Sequence, residues 1–407
     1  MNDPIDDPRL IRHANAALLA GALTDMRAQT LALFAAVRAA LADRLEIRYS
    51  DELNPPLWEL GHIGWFEEFW IARNPERLRG VAARLEAPRA APLLARADAL
   101  YDSSRVAHAT RWHLDLPDAT RTRATLAQGR ERTLALLRTS TGGDDALYFF
   151  RLALLHEAMH HEAGTMIAQG LALDVGAALA ATAPAATALT GELCVPAASP
   201  VPGSHDGGFA FDNELGAHAV DVPAFAIDRA PVTWGRFLPF IQAGGYADRK
   251  HWTSSGWAWR QRELPGGLPR YLARDDSGEL RRARFGHWVA LDPDQPAVNL
   301  SQHEAAAWCG WAGRRLPSEH EWTQAAAHGS ADFAWGQVWE WTASPFAPWP
   351  GFTPHPYRDY SQPWFDGRPV LKGGSFATAA RMKHPRYRNF YTAGRNDVFA
   401  GFRSCAV

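Results

Sequence analysis

Cysteine is scarce in this 407-residue chain: Cys194, Cys309 and Cys405 are the only three, and no two of them form a C-x-x-C pair. One thiol is left over in any pairing, which excludes a disulfide framework and predicts a reducing, cytoplasmic setting. Charge imbalance is missing too, since 42 basic and 44 acidic residues leave a formal −2. A surface built for nucleic acid or for an anionic membrane is therefore not expected. No run of about 18 apolar residues occurs, and Asp3, Asp6 and Asp7 stand where an export signal would carry basic residues before an apolar core. The sequence predicts a soluble chain that neither spans a membrane nor is exported by the general route.

What the chain has in excess is tryptophan, 17 residues, concentrated beyond residue 230. Large rings at that density predict a loop-rich half stapled by aromatic side chains. The length exceeds one ordinary core and predicts two or three domains.

From Arg9 to about Leu45, Leu, Ala and Phe recur at three- and four-residue spacing, the pattern of one or two amphipathic helices. Asn54-Pro55-Pro56 interrupts, and Leu57 to Ile71 restarts as a helix that is apolar nearly all round, with His62 at its middle. A histidine so placed is either satisfied by a carbonyl or carboxylate, or ligates a metal if another helix supplies a histidine pair. Tyr101-Asp102-Ser103-Ser104 reads as a loop, Thr120 to Leu137 as a helix capped by Asp118, and Asp144-Asp145 as the cap of the next helix. Four main helices before residue 175 imply an antiparallel bundle, a fold that builds metal sites from inward-facing side chains. The alanine-rich stretch that follows reads as a linker. Beyond Gly191 the texture turns to short strands and turns, Gly256-Trp257-Ala258-Trp259 among them. Helices are expected at Thr233 to Ala243, at Ser301 to Ala312 with a Ser301/Glu304 capping box, and from Pro317-Ser318-Glu319. An α+β domain rich in irregular structure follows.

The densest chemistry lies in His156-Glu157-Ala158-Met159-His160-His161-Glu162. At 3.6 residues per turn His156 and His160 sit about 40° apart on one helix face, so both imidazoles can reach one ion, while Glu162 points about 200° away from His160. Glu162 is then a supporting or solvated residue. Two chemical readings compete at this point. Taken literally the run is H-E-x-x-H, in which Glu157 would be the general base of a zinc hydrolase; alternatively the pair joins a third ligand in a non-haem iron site.

Residues 193–407 resemble the formylglycine-generating-enzyme (sulfatase-modifying factor) fold, a C-type-lectin-like architecture. The likeness rests on Phe225-Ala226-Ile227-Asp228, Gly313-Arg314-Arg315-Leu316-Pro317-Ser318-Glu319, Val338-Trp339-Glu340-Trp341-Thr342, Leu371-Lys372-Gly373-Gly374-Ser375 and Gly401-Phe402-Arg403. Its oxidase's paired catalytic cysteines have no counterpart here. The first half resembles a DinB-like four-helix bundle, and the two halves together resemble the sulfoxide synthases of ergothioneine biosynthesis and the related selenoneine synthases. The resemblance implies an α + (α+β) chain: an iron-binding bundle over 1–175, a linker over 176–192 and the lectin-like domain over 193–407. It implies Fe(II) held by His62, in Trp58-Glu59-Leu60-Gly61-His62, and by His156 and His160 of an H-x3-H-x-E motif. O2 would be the co-substrate. The zinc reading weakens because Met166 stands where a metzincin needs its third histidine.

The implied substrate is hercynine, the trimethylammonium betaine of histidine, whose ring carbon would be joined to sulfur or selenium. A quaternary ammonium calls for aromatic faces and dipoles, and Asn389, Phe390 and Tyr391 match the family stretch that holds it. Met159 stands where some relatives carry a glutamine that bonds the substrate. Relatives that use γ-glutamylcysteine read its carboxylates with two arginines three residues apart; His108 and Arg111 occupy the matching positions. Losing one guanidinium removes a bidentate clamp, so the expected donor is a seleno-sugar, with Trp112 or Trp65 available to stack on its ring, and a thiol donor is the second choice. The family's proton-donating tyrosine should fall between Trp349 and Tyr360, with Tyr357 and Tyr360 as candidates.

Overall fold

Capping residues explain where the helices of the first half begin. The computed structural model describes residues 3–42, 45–200, 203, 207–216, 218–329 and 331–407. Of the one or two helices expected first, the chain forms two: α1 (Pro8–Arg12), with Asp7 accepting from the amides of Arg9 and Leu10, and α2 (Ala16–Ala40), with Asn15 accepting from Leu18. α3 (Pro56–Glu67) opens on proline, whose missing N–H costs nothing at a helix start. It continues into a π-helical turn, Glu68–Ala72. α4 (Ala97–Tyr101) ends where a loop was expected to begin, so Tyr101 closes a helix. α5 (Ala119–Thr139) is capped by Asp118 as its sequence predicts. α6 (Asp144–Gly170) departs from expectation: Gly143 is the N-cap without a side-chain bond, and Asp144 and Asp145 lie inside the first turn. There Asp144 is drawn off by Arg151 at 2.8 Å and by the Gly208 amide at 2.7 Å.

The long helices α2, α3, α5 and α6 all pack on one another. Each contributes one charge to a buried ring. Arg27 of α2 and Arg130 of α5 both bond Glu67 of α3 and Glu157 of α6, over 2.6 to 3.1 Å. Two cations and two carboxylates satisfy one another there, as buried charges must.

In the second half β1 (Glu192–Val195) pairs antiparallel with β2 (Phe225–Asp228), Leu193 opposite Ile227. α7 (Trp234–Gln242) follows, then α8 (Ser254–Glu263), a helix where the sequence suggested strands and turns. The reason is a local cap: Thr253 accepts from Gly256 at 3.1 Å and starts a helix through Trp257 and Trp259. β3 (Leu272–Arg274), β4 (Leu280–Arg284) and β5 (His287–Ala290) form an antiparallel meander. α9 (Gln302–Ala312) and α10 (Glu319–His328) carry the capping boxes Ser301/Glu304 and Ser318/Glu321. β6 (Trp339–Pro345), β7 (Pro369–Lys372), β8 (Asn389–Phe390) and β9 (Ala400–Gly401) make a sheet of order β8-β7-β6-β9, with β6 and β9 parallel. Trp322, Trp339 and Trp341 are wholly buried around it. At Gly373, φ is +94° and an added Cβ would stand 3.1 Å from the Trp322 ring, so glycine is required twice over.

Between α6 and β1 the chain has one short 3-10 turn, Gly176–Ala178. The halves share a continuous core. Buried ties join them: Arg12 holds Glu214 at 2.7 Å, and Gln169 accepts from the Phe285 amide at 3.0 Å. Arg381 reaches back to Asp6, Asp25 and the Ala22 carbonyl.

Candidate metal centre

α3 and α6 cross so that His62, His156 and His160 offer three ring nitrogens lying within 4.8 Å of one another. The ring centroids are 5.1 Å apart for His62 and His156, 4.8 Å for His62 and His160, and 4.4 Å for His156 and His160. His62 and His156 are each 2 % exposed.

Each ring is aimed by what surrounds it. His62 Nδ1 donates to the Tyr101 carbonyl at 2.8 Å, leaving Nε2 as the lone-pair nitrogen. That contact depends on Gly61, where a Cβ would collide with the Tyr101 ring at 2.3 Å. His160 Nδ1 donates to the Glu59 carboxylate, which likewise frees its Nε2. The Nε2 atoms of His156 and His160 stand 3.1 Å apart. Two nitrogens each about 2.1 Å from a common ion and about 90° apart would be separated by about 3.0 Å. His156 lies flat on Phe66, centroids 3.4 Å apart, and its buried Nδ1 has no protein partner.

Burial disfavours the charged form of two of the three rings. Burial first, and then the neighbouring His160, push His62 down to about 3, against the pull of the Tyr101 carbonyl. His156 is held well below the ordinary histidine value by burial and by the other two rings. Burial raises the Glu59 carboxyl, but the charge and hydrogen bond of His160 outweigh it and hold Glu59 down to about 2. A carboxylate behind a ligating imidazole fixes its tautomer and raises its basicity. Three imidazoles with two tautomers already set suit a divalent first-row ion.

Glu157, the general base of the zinc-hydrolase reading, is 1 % exposed and bonded to Arg27 and Arg130 in the ion ring, away from the histidines. Glu162 is neither ligand nor solvated. It accepts from the Trp339 indole at 2.9 Å, Ser375 at 2.5 Å and Thr378 at 2.8 Å, which latches α6 onto the second half.

The tyrosine candidates separate. Tyr357 stands edge-on to His156 at 6.1 Å and to Phe66 at 4.9 Å. Burial, then Asp359 and Asp102, raise its pKa above the ordinary phenol value, with Arg111 opposing. Tyr360 lies one ring further out, 6.0 Å from Tyr357, stacked on Phe211, with its hydroxyl donated to Tyr387 at 3.2 Å. Met159 receives the Tyr387 hydroxyl at its sulfur, 3.3 Å away. Phe390 stacks on Phe346 at 4.1 Å and meets Tyr360 edge-on at 6.2 Å; Asn389 turns its Oδ1 to the Phe390 amide, and Tyr391 carries Arg395 over its ring at 5.0 Å.

The pair read as facing the donor is engaged elsewhere. His108 bonds the Leu53 carbonyl at 2.9 Å and packs beside Tyr49 and Trp112. Arg111 donates from Nη1 to Asn54 at 2.7 Å and lies 4.0 Å over the Trp58 ring. Trp112 donates to the Ile47 carbonyl and Trp65 to Asp98. Sequence reasoning missed Glu59, Asn54, Tyr101 and Tyr387. Glu59 had a legible signal, an acid one helical turn before a suspected ligand; Tyr101 contributes only a backbone carbonyl, which no residue type announces.

Comparison with known proteins places these features in context. The model of the sulfatase-modifying factor enzyme 1-like domain matches residues 178–337 and 327–406. The hercynine oxygenase of Mycolicibacterium thermoresistibile is 35% identical, over 95% of this chain and 94% of that one. The hercynine oxygenase of Mycobacterium tuberculosis is also 35% identical, over 95% of this chain and 97% of its own. Ergothioneine biosynthesis protein 1 of Schizosaccharomyces pombe is 28% identical over 48% of this chain and 27% of its own length.

Proposed function

Since this chain belongs to the hercynine oxygenase family of ergothioneine biosynthesis, we propose that it is a non-haem Fe(II), O2-dependent enzyme that joins a chalcogen to the imidazole carbon of hercynine. The observation that carries this is the convergence of three imidazoles from two helices. In this reading His62, His156 and His160 hold the iron, residues 1–175 form a DinB-like bundle around it, 176–192 are a linker, and 193–407 close over it as the lectin-like domain. Fe(II) supplies the one-electron chemistry that activates O2, with positions left open by a three-histidine set.

The protein's own part is binding and proton handling. Asn389, Phe390 and Tyr391 hold the trimethylammonium with a dipole and aromatic faces. Met159 flanks His160 with a soft, non-donating side chain, so the substrate contact that a glutamine makes in relatives is given up. Tyr357 is the proton donor: it is buried beside His156 and its phenol stays protonated. Tyr360 supports it from one ring further out.

The donor is a selenium-bearing sugar in this proposal. His108 replaces one arginine of a carboxylate clamp and is committed to the Leu53 carbonyl, and Arg111 spends its Nη1 on Asn54. That arrangement disfavours a doubly anionic peptide. Sulfur transfer from a thiol is the second reading, favoured by the likeness to a protein named for the biosynthesis of ergothioneine, a sulfur compound. Anaerobic reconstitution with Fe(II), followed by O2, hercynine and each donor in turn, with products identified by mass, tests both. The expected outcome is a selenium-bearing hercynine adduct; a product from the thiol alone reverses the order, and no hercynine-derived product with either donor removes the proposal.

A further inference from the structure

Arg111 lies at the meeting point of two separate supports of the metal centre. Its Nη1 donates to Asn54 Oδ1 at 2.7 Å, Asn54 Nδ2 donates to Glu59 Oε1 at 2.5 Å, and the other oxygen of Glu59 takes the Nδ1 proton of His160. The direction of this relay is fixed from its outer end. A guanidinium only donates, so Asn54 must turn its carbonyl outward and its NH2 inward, which in turn holds the Glu59 carboxylate toward His160. On its other side the Arg111 guanidinium lies 4.0 Å over the Trp58 ring, and Trp58 is stacked face to face on His62, centroids 4.9 Å apart and planes 9° apart. One cation thus braces His160 through three hydrogen bonds in series and His62 through an intervening indole. These are the two histidines whose Nδ1 tautomers are set by a partner.

We propose that Arg111 is a positioning residue of the metal centre, fixing His160 through Asn54 and Glu59 and His62 through Trp58, and that it is not the carboxylate clamp for the donor. The proposal rests on the reading of the three histidines as metal ligands. Lysine is not an equivalent, because an ammonium can donate to Asn54 but cannot lie flat on an indole. Nε of Arg111 has no protein partner, so the experiment has to separate a positioning role from substrate capture.

The full chain, stripped of metal, is titrated anaerobically with Fe(II) against a chelator, and separately with Co(II), whose visible absorption reports ligand geometry. Arg111→Met and Asn54→Ala are each expected to weaken metal binding by about 10- to 100-fold, the size typical of losing an outer-shell partner, and to shift the Co(II) bands. The double variant is expected to bind no more weakly than the poorer single one, because both cuts fall on one relay. Arg111→Lys should recover part of the affinity but not the wild-type Co(II) spectrum. Thermal melting of the metal-free variants identifies any that fail to fold, and Asn54→Ala, which removes a smaller side chain, carries the test if Arg111→Met does. Wild-type affinity and an unchanged spectrum in folded Arg111→Met, with a raised KM for the donor, would overturn the assignment and make Arg111 a substrate clamp. A wild-type chain that binds neither ion removes the metal reading itself, and this assignment with it.

Discussion

The two halves of the molecule hold their buried charges in different ways. In the bundle, Arg27, Glu67, Arg130 and Glu157 close one ring with a member from each long helix. In the turn-rich half the pairs are separate: Arg388 with Glu319, and Arg403 with Glu340. Each of those guanidiniums takes up two backbone carbonyls, Asn213 and Ala347 for Arg388, Asp228 and Ala334 for Arg403, where Arg27 and Arg130 of the ring each take one, of Leu126 and Leu23. Irregular backbone leaves carbonyls to be satisfied, and a buried arginine with five donors can serve several at once. The lesson is one of cooperativity. A cut in the ring is felt by all four helices, and hence by the metal site, whereas a cut in one pair of the second half loosens its own loops.

His62→Ala is the most severe way to probe this contrast. It should abolish metal binding and turnover while leaving the ring itself intact, checked by metal titration of the folded variant. Next in size is Glu157→Leu, which leaves two buried cations, Arg27 and Arg130, sharing the single carboxylate of Glu67; breaking a buried pair in this way costs about 3–5 kcal/mol. Urea unfolding of the metal-free chain measures it, and a loss below about 1 kcal/mol would show that the ring is not the brace. The hydrolase reading predicts the reverse pattern, with turnover lost and stability kept. Third, Tyr357→Phe should slow turnover by about 100-fold, the lower end for loss of a general acid, while Tyr360→Phe, which loses only a hydroxyl bond to Tyr387, changes it little.

The mildest probe is pH. Burial raises Glu67, but the charges of Arg130 and Arg27 outweigh it and hold it down to about 2. Its contribution to stability is therefore full above the unfolded value of about 4.3 and is lost as pH falls through about 2. Glu304 shifts the other way: burial pushes it up to about 7 despite hydrogen bonds from Tyr246 and Ser301. Its contribution is present below about 4.3 and is lost as pH rises through about 7. Unfolding curves of Glu67→Gln and Glu304→Gln across pH should therefore diverge from wild type at opposite ends of the scale.

Much of this arrangement could be read from residue order alone. Helical spacing was enough to put His156 and His160 on one face, and the all-round apolarity of Leu57 to Ile71 was enough to bury His62. Ser301/Glu304 and Ser318 marked their helices because a capping box is a local device. What escaped was non-local or carried by backbone. The Thr253 cap turned a tryptophan-rich stretch into α8, and Glu162 found its partners more than 170 residues away. The partners of Arg111 and His108 escaped for the same reason: family spacing locates a side chain, but only packing shows that Asn54 and Leu53 bond it.

α6 runs for 27 residues, about 40 Å at the helical rise, and it is pinned along its length by the other half. Asp144 meets Gly208 near its start, Glu162 meets Trp339, Ser375 and Thr378 beyond its middle, and Gln169 meets Phe285 near its end. Every one of those anchors is translated after α6 itself. A nascent chain therefore carries His156 and His160 out of the ribosome long before the scaffold that steadies them exists. On the proposed reading, loading of metal into a finished geometry would wait until nearly the whole polypeptide had been made.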